Sequence, residues 1–411
     1  MPSIARSAPA AEPVHLALRA FLGISRECVL PRAEEALSRD SNPDVVLSSS
    51  PSGHLSKQLR HAGYTHQLRF AVLPSRARVR WMLPQMGNAA STVGLEMYTP
   101  FSVAGRVMKM LLKIQSAGRQ GWACPGVLIA SRKQTALEIL ACQVTGHKEI
   151  LFSLLLGTPT AFQKLTVQVM ARDGRILAYA KLPLTPAAEK RIKHEAGVLE
   201  TLSNDPKLRS RIPRLLYSGM LNENYILMQS PLPGVAGPTR FSGMHQEFLS
   251  LLHAVQPSIQ SGSELVGDVG RRWNEVAADA PSRIRDLAKE ALRQAARDQQ
   301  TAQVLCAIHH GDFAPWNTRI HQGTLFSFDW ESACSRAPVL WDQFHFQAQT
   351  ESLLHAKPAP MDLRRHNRAL YLLYLLHSAA QLIEEKAAAN AIAYRERQLA
   401  QHINESAIRA V

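Results

Sequence analysis

The sequence predicts an α+β fold of two lobes, because a strand-rich segment is followed by a helix-rich one. Three apolar runs of strand-forming residues follow one another after residue 146, at Glu149–Leu156, Leu165–Ala171 and Ile176–Leu182. The Asp173-Gly174 pair between the last two runs is typical of a hairpin turn. After residue 234 the apolar pattern becomes mainly helical. We therefore predict a small β-rich lobe over residues 146–234 and a larger helical lobe over 235–411.

An additional α/β region is predicted ahead of these lobes, over residues 1–145. Its elements are a helix candidate at roughly Val14–Leu37, a turn-rich linker at 40–56, two short strands within Gln67–Met82 and a helix at Phe101–Gln115. The last helix is amphipathic and basic, a pattern that occurs both in helices packed on their own domain and in helices that lie on a membrane surface. We expect its apolar stripe to pack on its own domain.

The elements of the two lobes follow in chain order. Pro186 opens a helix that continues to about Leu202, and two further strand candidates follow at Leu215–Gly219 and Tyr225–Gln229. Four helical stretches complete the pattern: Met244–Val255, Arg271–Gln299, Asp362–Glu385 and Ala387–Asn404.

Composition indicates a globular chain that can bury a sizeable core. It has 411 residues, of which 46% are hydrophobic and 19% are charged. Its five cysteines are scattered without a CxxC pair, which argues against a disulfide framework or a zinc site and favours a reducing compartment. The start of the chain lacks the pattern of a signal peptide, and the most apolar run, Ile150–Gly157, is too short to cross a bilayer. We therefore expect a cytoplasmic protein.

The net charge of +14 is concentrated in one segment. Residues 54–137 contain twelve lysines and arginines and a single acid, Glu96. Such a positive field can attract nucleotides, phosphorylated substrates, nucleic acid or an anionic membrane face. It can equally be a solvated surface, so both interpretations stay open. The basic residues are not part of a recognisable nucleic-acid-binding motif and do not alternate with aromatic residues. We therefore expect no specific nucleic-acid partner.

The clearest chemical signal lies between His309 and Glu331. The sequence HHGDFAPWN at 309–317 follows an apolar strand, and FDWE at 328–331 ends a second short strand. Phosphoryl transfer needs a carboxylate that orients or deprotonates the acceptor hydroxyl, and oxygen ligands that hold Mg²⁺ against the phosphates. Asp312 fits the first role. Asn317 and Asp329 fit the second, because two strands joined by a loop can bring them side by side.

These motifs resemble the aminoglycoside phosphotransferase and choline kinase group, which shares the protein-kinase fold. The resemblance covers about residues 150–345 and implies ATP and Mg²⁺ as cofactors, Asp312 as the catalytic aspartate, and Asn317 and Asp329 as metal ligands. It also implies that His310 supports the loop. In residues 1–145, VLPSRARVRWMLP and the later Tyr98-Thr-Pro100 are similar to the leader region of some kinase-like proteins from bacterial polysaccharide gene clusters.

The nucleotide clamp of such a fold is predicted within the strand-rich lobe. Lys181, near the end of a strand, would reach the phosphates and be held by Glu195 on the next helix, 14 residues later, with Glu189 as a competing partner. Met228, in the strand that leads to the hinge, would line the adenine pocket, although a strand methionine is also a common core residue. The phosphate-covering loop has one glycine, Gly157, and the chain contains no Walker loop.

Two features stay open between a functional and a structural role. Asp342 follows a Pro-containing loop, where the resemblance implies a buttress for the catalytic loop, but the helix dipole explains an acid in a first helical turn equally well. Histidines and tyrosines of the C-terminal helices, His345 and Tyr374 among them, receive no assignment, because isolated histidines on apolar helices are usually structural.

Together these features predict an ATP- and Mg²⁺-dependent phosphotransferase that acts on a hydroxyl of a small molecule. Its partners would be the nucleotide and the acceptor, with a peripheral membrane or another anionic partner at residues 54–137. The alternative is a catalytically weak or inactive kinase-like scaffold, linked to polysaccharide biosynthesis. The glycine-poor loop favours this alternative, and the intact set of Lys181, Asp312, Asn317 and Asp329 disfavours it.

Overall fold

The structure is a computed structural model that describes residues 13–24, 30–38, 43–85, 92–101, 103–117, 126–300, 302–354 and 365–408. The chain divides into two compact units. The first comprises Met1–Lys193 and Leu215–Pro231, and the second comprises His194–Arg214 and Leu232–Val411. The α+β class is confirmed, because an antiparallel sheet forms the first unit and helices dominate the second.

The first unit is built on one antiparallel sheet. Its strands are β1 (Val45–Ser48), β2 (His66–Leu73), β3 (Trp81–Pro84), β4 (Gly126–Ser131), β5 (Ile150–Leu156), β6 (Lys164–Ala171), β7 (Ile176–Pro183), β8 (Leu215–Leu221) and β9 (Asn224–Gln229). Among the described residues these nine strands lie in the order β1-β4-β2-β3-β5-β6-β7-β9-β8. The predicted hairpin joins β6 and β7 through Gly174, whose φ of 88° a glycine adopts without strain.

The sheet runs without a break from the N-terminal region into the predicted nucleotide clamp. Trp81 and Met82 of β3 pair with Leu155 and Leu154 of β5, so strands from both sides of residue 145 are direct neighbours. The domain boundary predicted between residues 145 and 146 stays a prediction. The second predicted boundary, between residues 234 and 235, also stays a prediction. In the observed division, residues 194–214 group with the helical unit.

Helices cover the sheet of the first unit. They are α1 (Pro13–Leu22), α2 (Ala33–Ser38), α3 (Gly53–His61), α4 (Val103–Ala117), α5 (Ala136–Thr145) and the start of α6 (Pro186–Ser203), which passes into the second unit at His194. In the core, Phe21 of α1 packs edge-on against Phe70 and Phe152, with ring centroids 6.0 and 5.1 Å away.

The single helix predicted over Val14–Leu37 is wrong. Helix α1 ends at Leu22, because Gly23 takes a left-handed conformation with φ of 70°, the usual way in which a glycine terminates a helix. A separate short helix, α2, begins at Ala33. Residues 25–29, which the prediction also covered, lie outside the described residues.

The expectation for the amphipathic helix α4 is also wrong. Leu112 packs with Leu73, Leu83 and Leu95, while Lys109 and Lys113 on the inner side form ion pairs with Glu96. The apolar stripe faces outward instead. Its exposed members, 52–69% accessible among the described residues, are Val103, Val107, Met108, Met110, Leu111 and Ile114.

In the part of the second unit that the structure describes, helices are combined with two small antiparallel sheets. Its helices after α6 are α7 (Gly243–His253), α8 (Gly262–Val276), α9 (Ser282–Gln299), α10 (Trp341–Leu354), α11 (Arg365–Glu384) and α12 (Ala389–Ile408). Its strands are β10 (Val235–Ala236), β11 (Ser258–Ser261), β12 (Gln303–His309), β13 (Thr318–His321), β14 (Thr324–Ser327) and β15 (Cys334–Pro338). No helix among the described residues is both long and apolar enough to cross a membrane.

Strand β12, the hairpin of β13 and β14, and helix α10 position the residues of the candidate site. Strand β12 is paired on both sides, by β11 and β15, and ends at His309, where the motif begins. The hairpin of β13 and β14 separates the two halves of the motif. Helix α10 begins at Trp341, and α11 packs beside it through an apolar core that includes Phe344 and Tyr374, whose rings are 6.0 Å apart.

Candidate active site

The loop after β12 turns sharply at Gly311. This residue has φ of 83°, and a Cβ there would overlap the carbonyl oxygen of Ser332. Both the backbone conformation and the space therefore require glycine at this position. The turn carries the chain from a buried strand to Asp312, whose side chain is 36% exposed.

The side chain of Asp342 is hydrogen-bonded to the backbone of this turn. The carboxylate is fully buried, and its two oxygens accept the backbone N–H groups of His310 at 2.9 Å and Gly311 at 3.3 Å. The Nε2 atom of His309 lies 3.1 Å from Asp342 Oδ1, off the direction of a hydrogen bond, and burial lowers the pKa of His309 to about 4. Of the two roles left open for Asp342, its contacts are those of a buttress.

His310 connects the two halves of the motif. Its Nε2–H donates to the carbonyl oxygen of Phe328 at 3.1 Å, and its Nδ1 accepts the backbone N–H of Asp312 at 3.3 Å. Burial lowers the pKa of this histidine, which favours the neutral ring that such a donor-acceptor pattern requires. These contacts are of the supporting kind that the resemblance implies for His310.

Asn317 is held against Asp312. Its Nδ2 donates to the carbonyl oxygen of Asp312 at 2.9 Å and to the carboxylate Oδ2 at 2.7 Å. Because both bonds use the nitrogen, the Oδ1 oxygen of the buried amide points away from Asp312. The side chain therefore offers a hard oxygen donor on its other side.

The hairpin of β13 and β14 brings Asn317 next to the segment that begins at Asp329. Thr318 pairs with Ser327, and the N–H of Phe328 donates to the carbonyl oxygen of Asn317 at 3.0 Å. Asp329 then takes a left-handed conformation with φ of 67° and ψ of 62°, which aspartate tolerates better than most residues. The two predicted metal ligands thus lie at the same open end of one hairpin.

Asp329 belongs to a group of three acids. Ligand oxygens of Glu195, Asp329 and Glu331 lie within 4.8 Å of one another. The middle of α6 is attached to this segment, because the N–H of Trp330 donates to Glu195 Oε1 at 3.3 Å and His194 Nε2 donates to the carbonyl oxygen of Ala333 at 2.7 Å. Three carboxylates at this distance repel one another, and a divalent cation compensates such repulsion. An all-oxygen donor set of this kind fits Mg²⁺.

Two residues near Asp312 were missed by the sequence reasoning. His345 Nε2 lies 3.0 Å from Asp312 Oδ1, and the hydroxyl of Tyr374 lies 3.3 Å from His345 Nδ1. One signal was available, since His345 follows Asp342 by three residues and side chains with that spacing share a face of a helix. If Asp342 supports the catalytic loop, His345 is expected to face the same loop.

Lys181 lies in the first unit. It is a buried residue of β7, 4% exposed, and it pairs in register with Leu227 of β9. Glu189, the competing partner, forms an ion pair with Lys193 at 2.7 Å. Since Lys181 and Glu195 belong to different units, their pairing stays a prediction.

Met228 and the loop after β5 also lie in the first unit. The side chain of Met228 is fully buried in the hydrophobic core of that unit, so its position suits the core role that was left open, and its place in an adenine pocket stays a prediction. At Gly157 the N–H donates to the carbonyl oxygen of Lys164 at 2.9 Å, and a Cβ would lie 2.9 Å from the same oxygen. The glycine is required by this close approach of the two strands.

No protein-family model and no curated protein matches the chain. Several solved structures resemble it. A protein of Ralstonia eutropha classed with the aminoglycoside phosphotransferases has 15% identity and a TM-score of 0.43, over 67% of this chain and 98% of its own. A thermostable mutant of aminoglycoside phosphotransferase APH(4)-Ia has 12% identity and a TM-score of 0.48, over 66% and 99%.

The choline kinase LicA of Streptococcus pneumoniae has 13% identity and a TM-score of 0.45, over 66% of this chain and 99% of its own. A thermostable mutant of APH(4)-Ia has also been solved as a ternary complex with ADP and hygromycin B. These proteins belong to the aminoglycoside phosphotransferase and choline kinase group, which is the group that the motifs between His309 and Glu331 resemble.

Proposed function

We propose that the protein is an ATP- and Mg²⁺-dependent phosphotransferase that transfers a phosphoryl group to a hydroxyl of a small molecule. One observation carries this proposal. Asp312 is a partly exposed carboxylate with both oxygens engaged, at 3.0 and 2.7 Å, and its partner Asn317 stands at the open end of the hairpin that continues into Asp329 and Glu331. A positioned base beside a cluster of hard oxygen ligands is the arrangement that phosphoryl transfer requires.

In this proposal Asp312 orients the acceptor hydroxyl and takes its proton. The hydroxyl oxygen forms a bond to the γ-phosphorus of ATP, the bond from that phosphorus to the bridging oxygen of ADP breaks, and the acceptor proton passes to the Asp312 carboxylate. Asn317 and Asp329 would hold Mg²⁺, which neutralises phosphate charge when bound, and Glu331 is a third candidate ligand. Lys181, Glu195 and Met228 are proposed to bind the nucleotide.

The proposed enzyme and the alternative, an inactive scaffold, differ in the nucleotide binding that they predict. If the site is functional, saturating Mg²⁺-ATP is expected to raise the melting temperature by on the order of 5 °C, the shift produced by ligand at about 100 times its Kd. Asp329→Ala should abolish most of this shift. Asp329→Asn, which tolerates the same left-handed backbone but lacks the charge, should lose most of it as well.

Differential scanning fluorimetry with ATP, with Mg²⁺ and with both measures this effect. Asp286→Ala is the matched control, because this aspartate lies on the exposed side of α9 with 78% of its side chain accessible. The control should keep the full shift. A wild-type protein that shows no shift with Mg²⁺-ATP would instead support the scaffold.

We also propose that residues 54–137 contact an anionic membrane surface, with α4 as the inserted element. The support is the outward-facing apolar stripe of α4, together with the excess of basic residues in this segment. Arg119, one of those basic residues, lies outside the described residues. The cysteine pattern supports the cytoplasm as the proposed location of such a protein.

Co-sedimentation with lipid vesicles tests the proposed contact with an anionic membrane. The wild-type protein is expected to sediment with vesicles that contain anionic lipid and much less with neutral ones, and the double variant Leu111→Ser, Ile114→Ser is expected to bind at least about tenfold more weakly. Both side chains are exposed, so the fold should tolerate the change. Equal binding by the wild type and the double variant would exclude α4 as the inserted element.

A further inference from the structure

We propose that His345 is a positioning residue for Asp312 and that Tyr374 fixes the tautomer in which His345 acts. The inference rests on the proposed function, because it assigns a role in orienting the proposed base. His345 is located on α10 with only 9% of its side chain exposed, and its Nε2 lies 3.0 Å from Asp312 Oδ1. A carboxylate oxygen accepts, so Nε2 must carry the hydrogen.

The other nitrogen of His345 is engaged as well. Nδ1 lies 3.3 Å from the hydroxyl of Tyr374, which is 1% exposed on α11. Burial raises the pKa of Tyr374, so its hydroxyl keeps its proton and can donate to Nδ1. A ring that accepts at Nδ1 is a donor at Nε2, which is the form that Asp312 needs.

The rings around Tyr374 restrain this chain of groups. Phe344 and Trp341 of α10 have their centroids 6.0 and 6.2 Å from the Tyr374 ring, and Tyr371 stacks on it at 6.0 Å. A donor that is held on both sides by packed helices can fix the direction of a partly exposed carboxylate. A mobile donor could not do so.

With His345 in place, each oxygen of Asp312 has one fixed donor. Oδ1 faces His345 Nε2, and Oδ2 faces Asn317 Nδ2 at 2.7 Å. Each carboxylate oxygen can accept more than one hydrogen bond, so an acceptor hydroxyl can still bind. Without His345 the carboxylate would be held at one oxygen only and could rotate about its terminal torsion, which would misplace the base.

A histidine that merely fills space would have no such contacts. The distinction is therefore testable by comparing His345→Leu, which removes the donor, with His345→Gln, whose amide N–H can occupy the position of Nε2. His377→Leu is the matched control, because this histidine lies on the neighbouring helix α11 and contacts Arg272 rather than Asp312.

Steady-state ATP turnover, with kcat and KM for ATP measured separately, gives the first readout. We expect His345→Leu to lower kcat about 10- to 100-fold with KM for ATP within about twofold of wild type, and His345→Gln to recover most of kcat. In an Asp312→Ala background, His345→Leu should cause no further loss. Equal losses in the leucine and glutamine variants, or an unchanged kcat in His345→Leu, would overturn the proposal. His377→Leu should leave kcat near wild type.

A second readout does not depend on turnover. In ¹H–¹⁵N spectra of the histidine-labelled full chain, His345 should be the Nε2–H tautomer. It should stay so in Asp312→Ala, where Tyr374 alone sets the tautomer, and the double variant Asp312→Ala, Tyr374→Phe should introduce the Nδ1–H form. Observation of the Nδ1–H form in the wild-type protein would overturn the inference even if the enzyme is active. Absence of any ATP turnover, with the Nε2–H form present, would instead contradict the proposed function alone.

Discussion

Replacing Asp312 with alanine is expected to lower phosphoryl transfer by about three orders of magnitude while leaving nucleotide affinity close to that of the wild type. A positioned general base contributes roughly 10²- to 10⁴-fold to the rate, and the loss of hydroxyl orientation adds to this. Nucleotide affinity is expected to persist because the residues proposed to hold Mg²⁺-ATP, Asn317 and Asp329 among them, are all retained.

The measurement has two parts, a turnover assay and a titration with nucleotide followed by calorimetry. Asp286→Ala again serves as the control for a change of net charge on the same unit. If Asp312→Ala retained turnover within a few-fold of wild type, the role assigned to this carboxylate would be wrong. If it lost nucleotide binding as well, Asp312 would be part of the nucleotide site and not of the acceptor site.

The second large effect is expected at Asp342, on stability. Asp342→Ala removes the acceptor of two buried backbone N–H groups, those of His310 and Gly311. An unsatisfied buried donor costs about 1–3 kcal/mol, so the free energy of unfolding of the second unit should fall by about 3 kcal/mol. Turnover should fall too, because the same N–H groups fix the loop that carries Asp312.

Urea denaturation followed by tryptophan fluorescence measures this change. Asp342→Asn, which keeps one carbonyl oxygen but presents an amide nitrogen to the second N–H, is expected to fall between alanine and wild type. Asp286→Ala should shift the unfolding free energy by less than about 0.5 kcal/mol. If the change in unfolding free energy for Asp342→Ala were as small as that of the control, Asp342 would not support the loop. Its position would then be explained by the dipole of α10 alone.

Local patterns were enough to predict the central strands of the first unit and the hairpin that joins the two halves of the motif. The hairpin between β6 and β7 follows from Asp173-Gly174, because the turn needs a residue that adopts positive φ freely. The approach of Asn317 to the segment at Asp329 follows from a hairpin of two short strands. Each of these features depends on residues that are close in sequence.

Features that depend on contacts between residues distant in sequence could not be predicted from local patterns. The pairing of β3 with β5, which joins the N-terminal region to the clamp, connects residues more than 70 positions apart. The outward direction of the α4 stripe goes with contacts on the opposite side of the helix, where Leu112 packs in an apolar cluster and Lys109 and Lys113 pair with Glu96. The contact of His345 with Asp312 links residues 33 positions apart, so a histidine that seemed isolated on its helix has two polar partners.

Detection of a phosphate monoester is the most direct test of the central claim. The full chain would be incubated with Mg²⁺-ATP and representative sugars, aminoglycosides, amino alcohols and nucleosides, and ³¹P NMR would follow the γ-phosphate. We predict that at least one acceptor class gives a phosphate monoester with stoichiometric ADP, that the product requires Mg²⁺, and that Asp312→Ala does not form it. Formation of the same product by Asp312→Ala, or no product from any acceptor class, would contradict the account.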